Sequence, residues 1–358
     1  QDQTTRCFVK RAISFLLSQT KRLALAVKGL FELIIHGRFW WLVDVAEYRL
    51  QYRLSALQAG TRLNRSGLAD SFNLRRNIHR LEKGLSHSST KAYFAEDYIL
   101  ETVNFLNKEM RLNPENENLL HWSTAVLEEY FRVTEHTPII SEAYRRYLEI
   151  NPVNQCPDWF PYAEANRPEL SVTYDELLQL GLRRRSVRSY LDQPVEYELV
   201  EKAMAVAALS PSACNRQPFL YLFYSEKELV QQIVSIPGGA AGFTPPSVLV
   251  IVGRYRAFFN ERDAAVPVID SSLSVMSFLF ACETLGLSTV CINWPNLPDR
   301  DKRIRKLIHL EEDEFVVMLV GLGYADPAGK IPFSSKNEVD AILSCNARIK
   351  DAHPTVTI

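Results

Sequence analysis

The stretch of the sequence best suited to chemistry is RRRSVRSY, residues 183–190, which places four arginines and two serines in eight positions. A guanidinium group presents forked N–H donors that match phosphate oxygens, and a serine hydroxyl adds a neutral donor. The segment is therefore a candidate site for a phosphate monoester. The alternative is a solvated helix end, because arginine is also favourable near a helix C-terminus through the helix dipole.

A second polar stretch, LSPSACNRQPF at residues 209–219, follows a helical pattern and precedes a strand-like run. Its uncharged donors and acceptors are Ser210, Ser212, Asn215 and Gln217. Hydroxyl and amide groups of this kind suit the edges of a flat heteroaromatic ring. The alternative is an ordinary polar connection, although the small residues at the centre of the stretch indicate close approach by a ligand.

Two domains are expected from 358 residues of which 47% are hydrophobic. From residue 45 to residue 150 apolar positions recur at three- and four-residue steps, which predicts helices. Four prolines between residues 152 and 168 then disfavour both helix and sheet. The predicted organisation is a helical domain at 1–155, a Pro-rich linker at 156–170 and a second domain at 171–358.

The second half of the chain mixes helices and strands. Buried strands are predicted at FLYLFYS, SVLVIVG, STVCIN and FVVMLVGLGYA. Helices are predicted at EYELVEKAMAVAAL, at VIDSSLSVMSFLFACETLG with Gly286 as its C-cap glycine, and at DRDKRIRKLIHL. The class is therefore α/β or α+β.

In their order and spacing, RRRSVRSY, LSPSACNRQPF, GLSTVCIN and VVMLVGLGYAD resemble the nitroreductase family of FMN-dependent oxidoreductases. The resemblance spans residues 175–345 and implies an α+β, three-layer fold with a central, mostly antiparallel sheet. It also implies a homodimer that shares FMN between two subunits. NADH or NADPH would deliver hydride to the flavin, which passes reducing equivalents to a second substrate.

The resemblance implies roles for the basic residues. The FMN phosphate and ribityl end would be held by Arg184, Arg185 and Ser186. Arg188 would lie near the pyrimidine edge of the flavin and stabilise negative charge on the reduced ring. A late basic residue closes on the phosphate in this family, and it is best matched by Lys336, with Ser335 beside it and Lys330 as the competitor.

The resemblance also implies roles for uncharged residues. The loop that reaches the flavin of the other subunit corresponds to Ser210, Pro211, Ser212 and Asn215, with Gln217 near the ribityl chain. The segment that lies against the flavin ring through its backbone corresponds to Ile292 and Asn293. Many family members have Gly at the position of Asn293, so the substrate face of the site is left open. The segment IPGGAAGFTPP, residues 236–246, is either a flap over the pocket or a plain loop.

The segment NLRRNIHRLEKGLS, residues 73–86, resembles the HRLEKGL motif that precedes the flavin domain in a nitroreductase-like subgroup found with capsule and exopolysaccharide biosynthesis genes. On a helix, His79 and Lys83 lie one turn apart on one face, with Arg76 a turn earlier and Glu82 beside them. One interpretation is an intrahelical charge network. The other is a face that covers the flavin pocket and binds an anionic second substrate, with His79 as a proton donor.

Composition restricts the other function classes. The balance of 41 basic and 42 acidic residues argues against a nucleic-acid partner. Six scattered cysteines without C-x-x-C spacing argue against a disulfide framework or a metal site and favour the cytoplasm. Residues 1–60 carry nine Lys or Arg against four acids. This basic arm either packs on the chain itself or a second subunit, or makes peripheral contact with an anionic membrane surface.

The leading hypothesis is an FMN-dependent oxidoreductase that consumes NAD(P)H and reduces a small-molecule acceptor, such as a quinone, a nitro compound or a polysaccharide-pathway molecule. The alternative is a flavin-binding or flavin-free accessory protein that docks on a membrane-associated polysaccharide assembly system. A third hypothesis keeps the fold and changes the chemistry to flavin cleavage or reductive dehalogenation.

Overall fold

The computed structural model describes residues 54–67, 70–87, 92–152, 156, 158–240 and 242–345. Nearly all of the basic arm predicted at residues 1–60 lies outside these ranges. That prediction therefore has no structural counterpart among the described residues.

The N-terminal part is helical, as the three- and four-residue periodicity predicts. Its helices are α1 (Leu54–Arg65), α2 (Asp70–Leu85), α3 (Ile99–Leu112), α4 (Glu117–Val133) and α5 (Pro138–Ile150). They enclose a core in which Leu74, Ile78 and Leu81 form the buried stripe of α2. Helix α5 begins at Pro138 after the N-cap Thr137 and ends at Asn151, whose backbone is left-handed.

The Pro-rich segment contains one short element among its described residues, the 3₁₀ helix Glu164–Asn166. The next helix, α6 (Tyr174–Arg183), begins with a capping box between Thr173 and Glu176. None of the residues in α6 is buried within the chain. Tyr174, Leu177, Leu178 and Leu182 are each about half exposed or more.

The C-terminal part folds around a four-stranded antiparallel sheet with strand order β1-β2-β4-β3. The elements in chain order after α6 are α7 (Tyr197–Ala207), β1 (Phe219–Tyr224), α8 (Lys227–Ser235), β2 (Ser247–Arg254), α9 (Val266–Thr284), β3 (Ser288–Asn293), α10 (Pro298–Leu307), β4 (Glu314–Gly323) and α11 (Val339–Ile342).

Helices cover both faces of this sheet. On one face α8 and α10 contribute Val230, Ile233 and Ile304 to a core cluster. On the other, α7 and α9 contribute Ala203 and Phe278 to a second cluster. The α+β, three-layer prediction with a mostly antiparallel sheet is therefore confirmed.

Helix α9 runs across one face of the sheet and ends before Gly286, whose φ of +78° is the left-handed conformation that glycine adopts readily. By length and composition it is the one helix among the described residues that could cross a membrane. Half of its apolar window is buried inside the chain. Its polar residues Asp270, Ser271 and Ser274 are buried too. We interpret α9 as a core helix.

The N-terminal helices dock on the end of β2. Gly60 in α1 lies against Tyr255, where an added Cβ would stand 2.5 Å from the Tyr255 Cβ and 2.6 Å from its carbonyl carbon. Asn64 on the same helix donates from Nδ2 to the Arg256 carbonyl oxygen at 2.7 Å. The Arg256 guanidinium in turn binds the fully buried Asp313. The two parts of the chain therefore share a closely packed contact.

Replacing a helical glycine by alanine usually stabilises a protein. At Gly60 we expect the opposite effect, because Tyr255 lies too close to accommodate a Cβ. At Gly181 in α6 nothing lies within 4 Å of an added Cβ, so Gly181→Ala is expected to stabilise the helix by about 1 kcal/mol. Gly60→Ala is expected to destabilise the protein by about 2 kcal/mol or more, because Tyr255 and its backbone must move. Urea denaturation of both variants checks the opposite signs, and a stabilised Gly60→Ala would contradict the docked arrangement.

Candidate functional site

The arginine segment lies along the free edge of β3. Ser186 pairs in parallel with Thr289, and the Val187 N–H donates to the Thr289 carbonyl oxygen at 3.0 Å. Desolvation raises the pKa of the Cys291 thiol, and the cation of Arg184 opposes that rise. The Arg184 side chain is therefore close to Cys291, which lies two positions after Thr289 on β3.

Two further contacts fix the end of the segment. Ser189 donates from Oγ to Asp326 Oδ2 at 3.2 Å, and Tyr190 pairs with Ala325 beyond the end of β4. The Tyr190 hydroxyl donates to the Val187 carbonyl oxygen at 2.7 Å. The backbone of residues 186–190 is therefore held between β3 and the extension of β4.

The arginines of the segment divide into two kinds. Arg183 binds Glu283 of α9, with Nε 2.9 Å from Oε1. Arg184, Arg185 and Arg188 form no ion pair with any carboxylate in the described part of the chain. Arg184 and Arg185 are half-buried next to the half-buried Ser186. Unpaired guanidinium groups with an adjacent hydroxyl are a donor set that fits a phosphate dianion.

The glycine-rich segment that the sequence leaves as a flap or a plain loop contacts the arginine segment through Phe243. The Arg188 guanidinium carbon lies 5.9 Å from the ring centre of Phe243, within cation–π distance. Ala240 of the same loop is buried in the sheet core, and Gly239 lies next to the Ile292 side chain at 3.9 Å from an added Cβ. Gly239, Ala240 and Phe243 therefore connect Arg188 to β3. Asn293, the last residue of β3, is exposed.

The polar loop at residues 209–219 is anchored on α9. Ser210 donates from Oγ to Ser277 Oγ at 2.7 Å, and the Ala213 N–H donates to Asp270 Oδ2 at 3.1 Å. Burial raises the pKa of Asp270, while the Ala213 N–H and the charge of Arg216 oppose that rise. The loop is thus bound at two points about two turns apart on the same face of α9.

The backbone of this loop is strained. Cys214, Asn215 and Gln217 all have φ near +50°, a region that residues with a side chain seldom adopt. Two hydrogen bonds within the loop maintain this backbone conformation. The Gln217 N–H donates to Ser212 Oγ at 3.0 Å, and Gln217 Nε2 donates to Asn215 Oδ1 at 3.2 Å. Strain of this kind concentrates at functional sites, where the surrounding structure maintains it. Pro211 is exposed at the tip of the loop.

The arginine segment and the polar loop lie at opposite ends of α9 in one chain. Asp270 anchors the loop and Glu283 binds Arg183, and these residues are thirteen positions apart. At 1.5 Å per residue the separation along the helix is about 20 Å. One chain therefore does not bring Arg184 together with Asn215.

Two predicted site residues near the C-terminus stay predictions. Ser335 and Lys336 lie in the stretch from residue 330 to residue 345, all of which is exposed. No ion pair or hydrogen bond joins either residue to the arginine segment in the described ranges. Lys330, the competitor, is likewise exposed.

His79 lies in a groove on the helical part of the chain. Its Nδ1 is 3.3 Å from Glu82 Oε2, and Trp122 donates from Nε1 to Glu82 Oε1 at 2.8 Å. The groove has a volume of about 490 Å³ and is also lined by Lys83 and Tyr162. Of the intrahelical charge network that is one interpretation of this helix, the described structure contains the His79–Glu82 contact, and a catalytic role for His79 stays a prediction.

The sequence interpretation did not single out Arg216 as a site residue. Arg216 is buried, and its charge contributes to the lowered pKa of Arg76 on α2 after burial and the charge of Arg80. Helix α2 packs against the turn Ala213–Asn215. The sequence shows Arg216 inside the quoted loop, but it does not show that Arg216 lies near Arg76, which is 140 positions earlier in the chain.

Comparison with known proteins agrees with this geometry. The nitroreductase family model matches residues 182–239 and 237–324, which include the arginine segment, the polar loop and all four strands. Residues 182–324 are therefore similar to the nitroreductase family. The match ends before the exposed stretch at residues 330–345 and does not include the N-terminal helices.

Individual relatives of this region are distant. A protein of Methanothermobacter thermautotrophicus described as an NADH dehydrogenase/NAD(P)H nitroreductase is 28% identical over 154 residues, which are 43% of this chain and 79% of that protein. The FMN reductase [NAD(P)H] of Bacillus subtilis is 24% identical over 44% of this chain and 68% of its own length. An FMN-dependent nitroreductase structure from Clostridium difficile aligns with 49% of this chain and 99% of its own, at 21% identity and a TM-score of 0.39.

The anchoring of the polar loop on α9 yields a test. Asp270→Ala removes the acceptor for the Ala213 N–H, whereas Asp270→Asn keeps an oxygen at that position. We expect amide hydrogen exchange in a peptide covering residues 209–218 to accelerate about tenfold in the alanine variant, since a lost hydrogen bond to a charged group is worth about 1.4 kcal/mol or more. The asparagine variant should exchange close to the wild-type rate. Equal exchange in all three proteins would contradict the anchoring.

Proposed function

We propose that the chain is an FMN-dependent oxidoreductase that takes hydride from NADH or NADPH and reduces a small-molecule acceptor. The observation that carries the proposal is the unpaired donor set of Arg184, Arg185 and Ser186 on the edge of β3. This set lies within the region similar to the nitroreductase family, and relatives of that region include proteins named for NAD(P)H and FMN. A phosphate monoester at the end of a flavin chain fits these donors.

Each residue of the segment has a task in this proposal. Arg184, Arg185 and Ser186 bind the phosphate and fix the position of the flavin along β3. Arg188 directs its cation to the pyrimidine edge, where it stabilises negative charge. FMN supplies the hydride chemistry when bound, and the protein supplies position and electrostatics. The backbone of Ile292 and Asn293 limits the space on one side of the ring.

The proposal requires two subunits, because Arg184 and the polar loop are about 20 Å apart along α9 in one chain. A two-fold axis across α9 would bring the loop of one subunit to the arginine segment of the other. Exposed apolar residues support such a contact. Ile269, Leu273 and Met276 form a stripe along α9, and Leu177 and Leu178 continue it on α6.

The exposed stretch at residues 330–345 supports the same arrangement. It carries Ile331, Phe333, Val339, Ile342 and Leu343, each more than half exposed. An apolar segment of this kind contacts a partner in a folded protein more often than it faces water. In the proposed homodimer it crosses to the second subunit and brings Ser335 and Lys336 to that subunit's phosphate.

The acceptor is proposed only as a class. Quinones and nitroaromatic compounds are the assay substrates suited to a flavin reductase of this family. A molecule of a polysaccharide pathway is supported as the cellular acceptor by the HRLEKGL-type motif at residues 73–86 alone. We propose a cytoplasmic location, because the dispersed cysteines of the sequence lack the spacing of a disulfide framework.

Removal of the phosphate donors tests the cofactor. The double substitution Arg184→Ala and Ser186→Ala is expected to lower FMN occupancy at least tenfold, because two donors to a dianion are lost together. The matched control is Arg183→Gln, which removes an arginine from the same cluster that is engaged with Glu283. Flavin absorbance per polypeptide after gel filtration measures occupancy. Full occupancy in the double variant would contradict the proposed phosphate site.

The subunit arrangement has its own test. We expect light scattering to report twice the 40.9 kDa chain mass for the wild type. Leu177→Glu with Leu178→Glu places charges on the exposed α6 face and should yield the monomer mass together with loss of FMN. Leu148→Glu alters an exposed apolar residue on α5 and should leave the dimer intact. A dimeric double variant would exclude α6 from the interface.

A further inference from the structure

Two arginines from different parts of the chain meet beneath the polar loop. Arg216 follows Asn215 and is only 6% exposed. Its guanidinium lies 5.0 Å from the ring centre of Phe258, and its Nη1 donates to the Ala213 carbonyl oxygen at 3.3 Å. Its Nε is buried and has no hydrogen-bond partner. The side chain thus keeps an unused donor in a dry environment.

The second arginine comes from helix α2. Arg76 has its guanidinium 4.6 Å from the ring centre of Phe259, next along the chain to the Phe258 that supports Arg216. It donates from Nη1 to Asn77 Oδ1 at 3.0 Å. Burial lowers the pKa of Arg76, and the charges of Arg80 and Arg216 lower it further. The two guanidinium groups therefore lie on the rings of consecutive residues, Phe258 and Phe259, where α2 packs against the turn Ala213–Asn215.

The nearby carboxylates do not neutralise this pair by contact. Asp270 accepts the Ala213 N–H, Asp263 pairs with Arg262 at 3.5 Å, and Glu101 accepts from Asn77 at 3.3 Å. Burial lowers the pKa of both arginines, and Cys214 and these carboxylates oppose that change. None of the three carboxylates comes within 4 Å of Arg76 or Arg216 in the described structure. Arg80, by contrast, has its own partner in Asp97 at 3.5 Å.

An arrangement of this kind is costly unless something occupies it. A buried cation without a paired anion loses hydration that no protein contact replaces. The buried Arg216 and the half-buried Arg76, on the rings of consecutive phenylalanines and with one unused N–H, fit an oxyanion held between them. The strained residues Cys214 and Asn215 directly precede Arg216 in the chain. The polar loop therefore positions one member of the arginine pair.

We propose that Arg76 and Arg216 form a subsite for an oxyanion, a carboxylate or a phosphate, on the acceptor substrate. The inference rests on the proposed function, in which this loop approaches the flavin of the partner subunit. The N-terminal helical part of the chain then contributes directly to acceptor choice, because Arg76 lies on α2. Acceptors that carry an acidic group are preferred over neutral acceptors of the same shape.

The test uses three matched nitroaromatic probes: 4-nitrobenzoate, 4-nitrophenyl phosphate and the neutral 4-nitrobenzamide. Calorimetry on the full-length purified protein measures binding of each probe, independently of turnover. Steady-state assays with NADH and NADPH then measure KM for each acceptor. We expect at least one anionic probe to bind roughly tenfold or more tightly than the amide, as expected for a charge-assisted pair. The better of the two anions identifies the source of the oxyanion.

Two variants assign the preference to Arg76. Arg76→Gln should weaken the anionic probe roughly tenfold and leave the amide unchanged, whereas Arg76→Lys should retain part of the preference because it keeps the charge and loses the forked geometry. Arg145→Gln is the charge-matched control, since Arg145 is exposed on α5 and pairs with Glu142. The rate of flavin reduction by NADH reports that each variant is folded and active in the first half-reaction.

The outcomes separate the two proposals. Wild-type protein that neither holds FMN nor oxidises NADH overturns the proposed function, while the calorimetric preference still tests the subsite. Normal flavin reduction with equal affinity for the three probes overturns the subsite alone. A preference for anions that survives unchanged in Arg76→Gln also overturns it, because the anion would then bind elsewhere.

Discussion

The position of the candidate site depends on the pairing of residues 186–187 with Thr289 at the free edge of β3. This backbone contact extends the sheet by one more segment, so that Arg184 and Arg185, which directly follow the end of α6, and Arg188 lie along the edge of β3. A sheet edge normally exposes unpaired N–H and C=O groups, and here the edge is used to position side chains. The donor set follows from strand geometry and not from arginine content alone.

Helix α9 links this edge to the rest of the domain. It binds the polar loop through Asp270 near its beginning and Ser277 just past its midpoint, and it binds Arg183 through Glu283 near its end. Because an α-helix is rigid over this length, it keeps the two halves of the candidate site apart in one chain. Its exposed face carries an apolar stripe between them. One helix thus explains both why a single chain is incomplete and which surface would complete it.

Much of the fold follows from sequence pattern. Four apolar runs predict the four strands, and the Gly286 ending of α9 is confirmed because a left-handed C-cap leaves a local signature. Helix α6 was missed although Thr173 and Glu176 form a capping box, and α8 was missed because it is short. The arginine segment was located from its residue types, whereas the Arg76–Arg216 pair was not, because contacts between distant positions depend on how α2 docks on the domain. The same docking decides that His79 faces a groove beside Tyr162.

The account rests on FMN as the group that the arginine segment holds. The most direct measurement is the visible spectrum of the purified wild-type protein, followed by anaerobic addition of NADH or NADPH and identification of the flavin released on denaturation. The account predicts one FMN per chain and loss of its visible absorbance on mixing with a nicotinamide. A colourless protein that also fails to bind added FMN would contradict it.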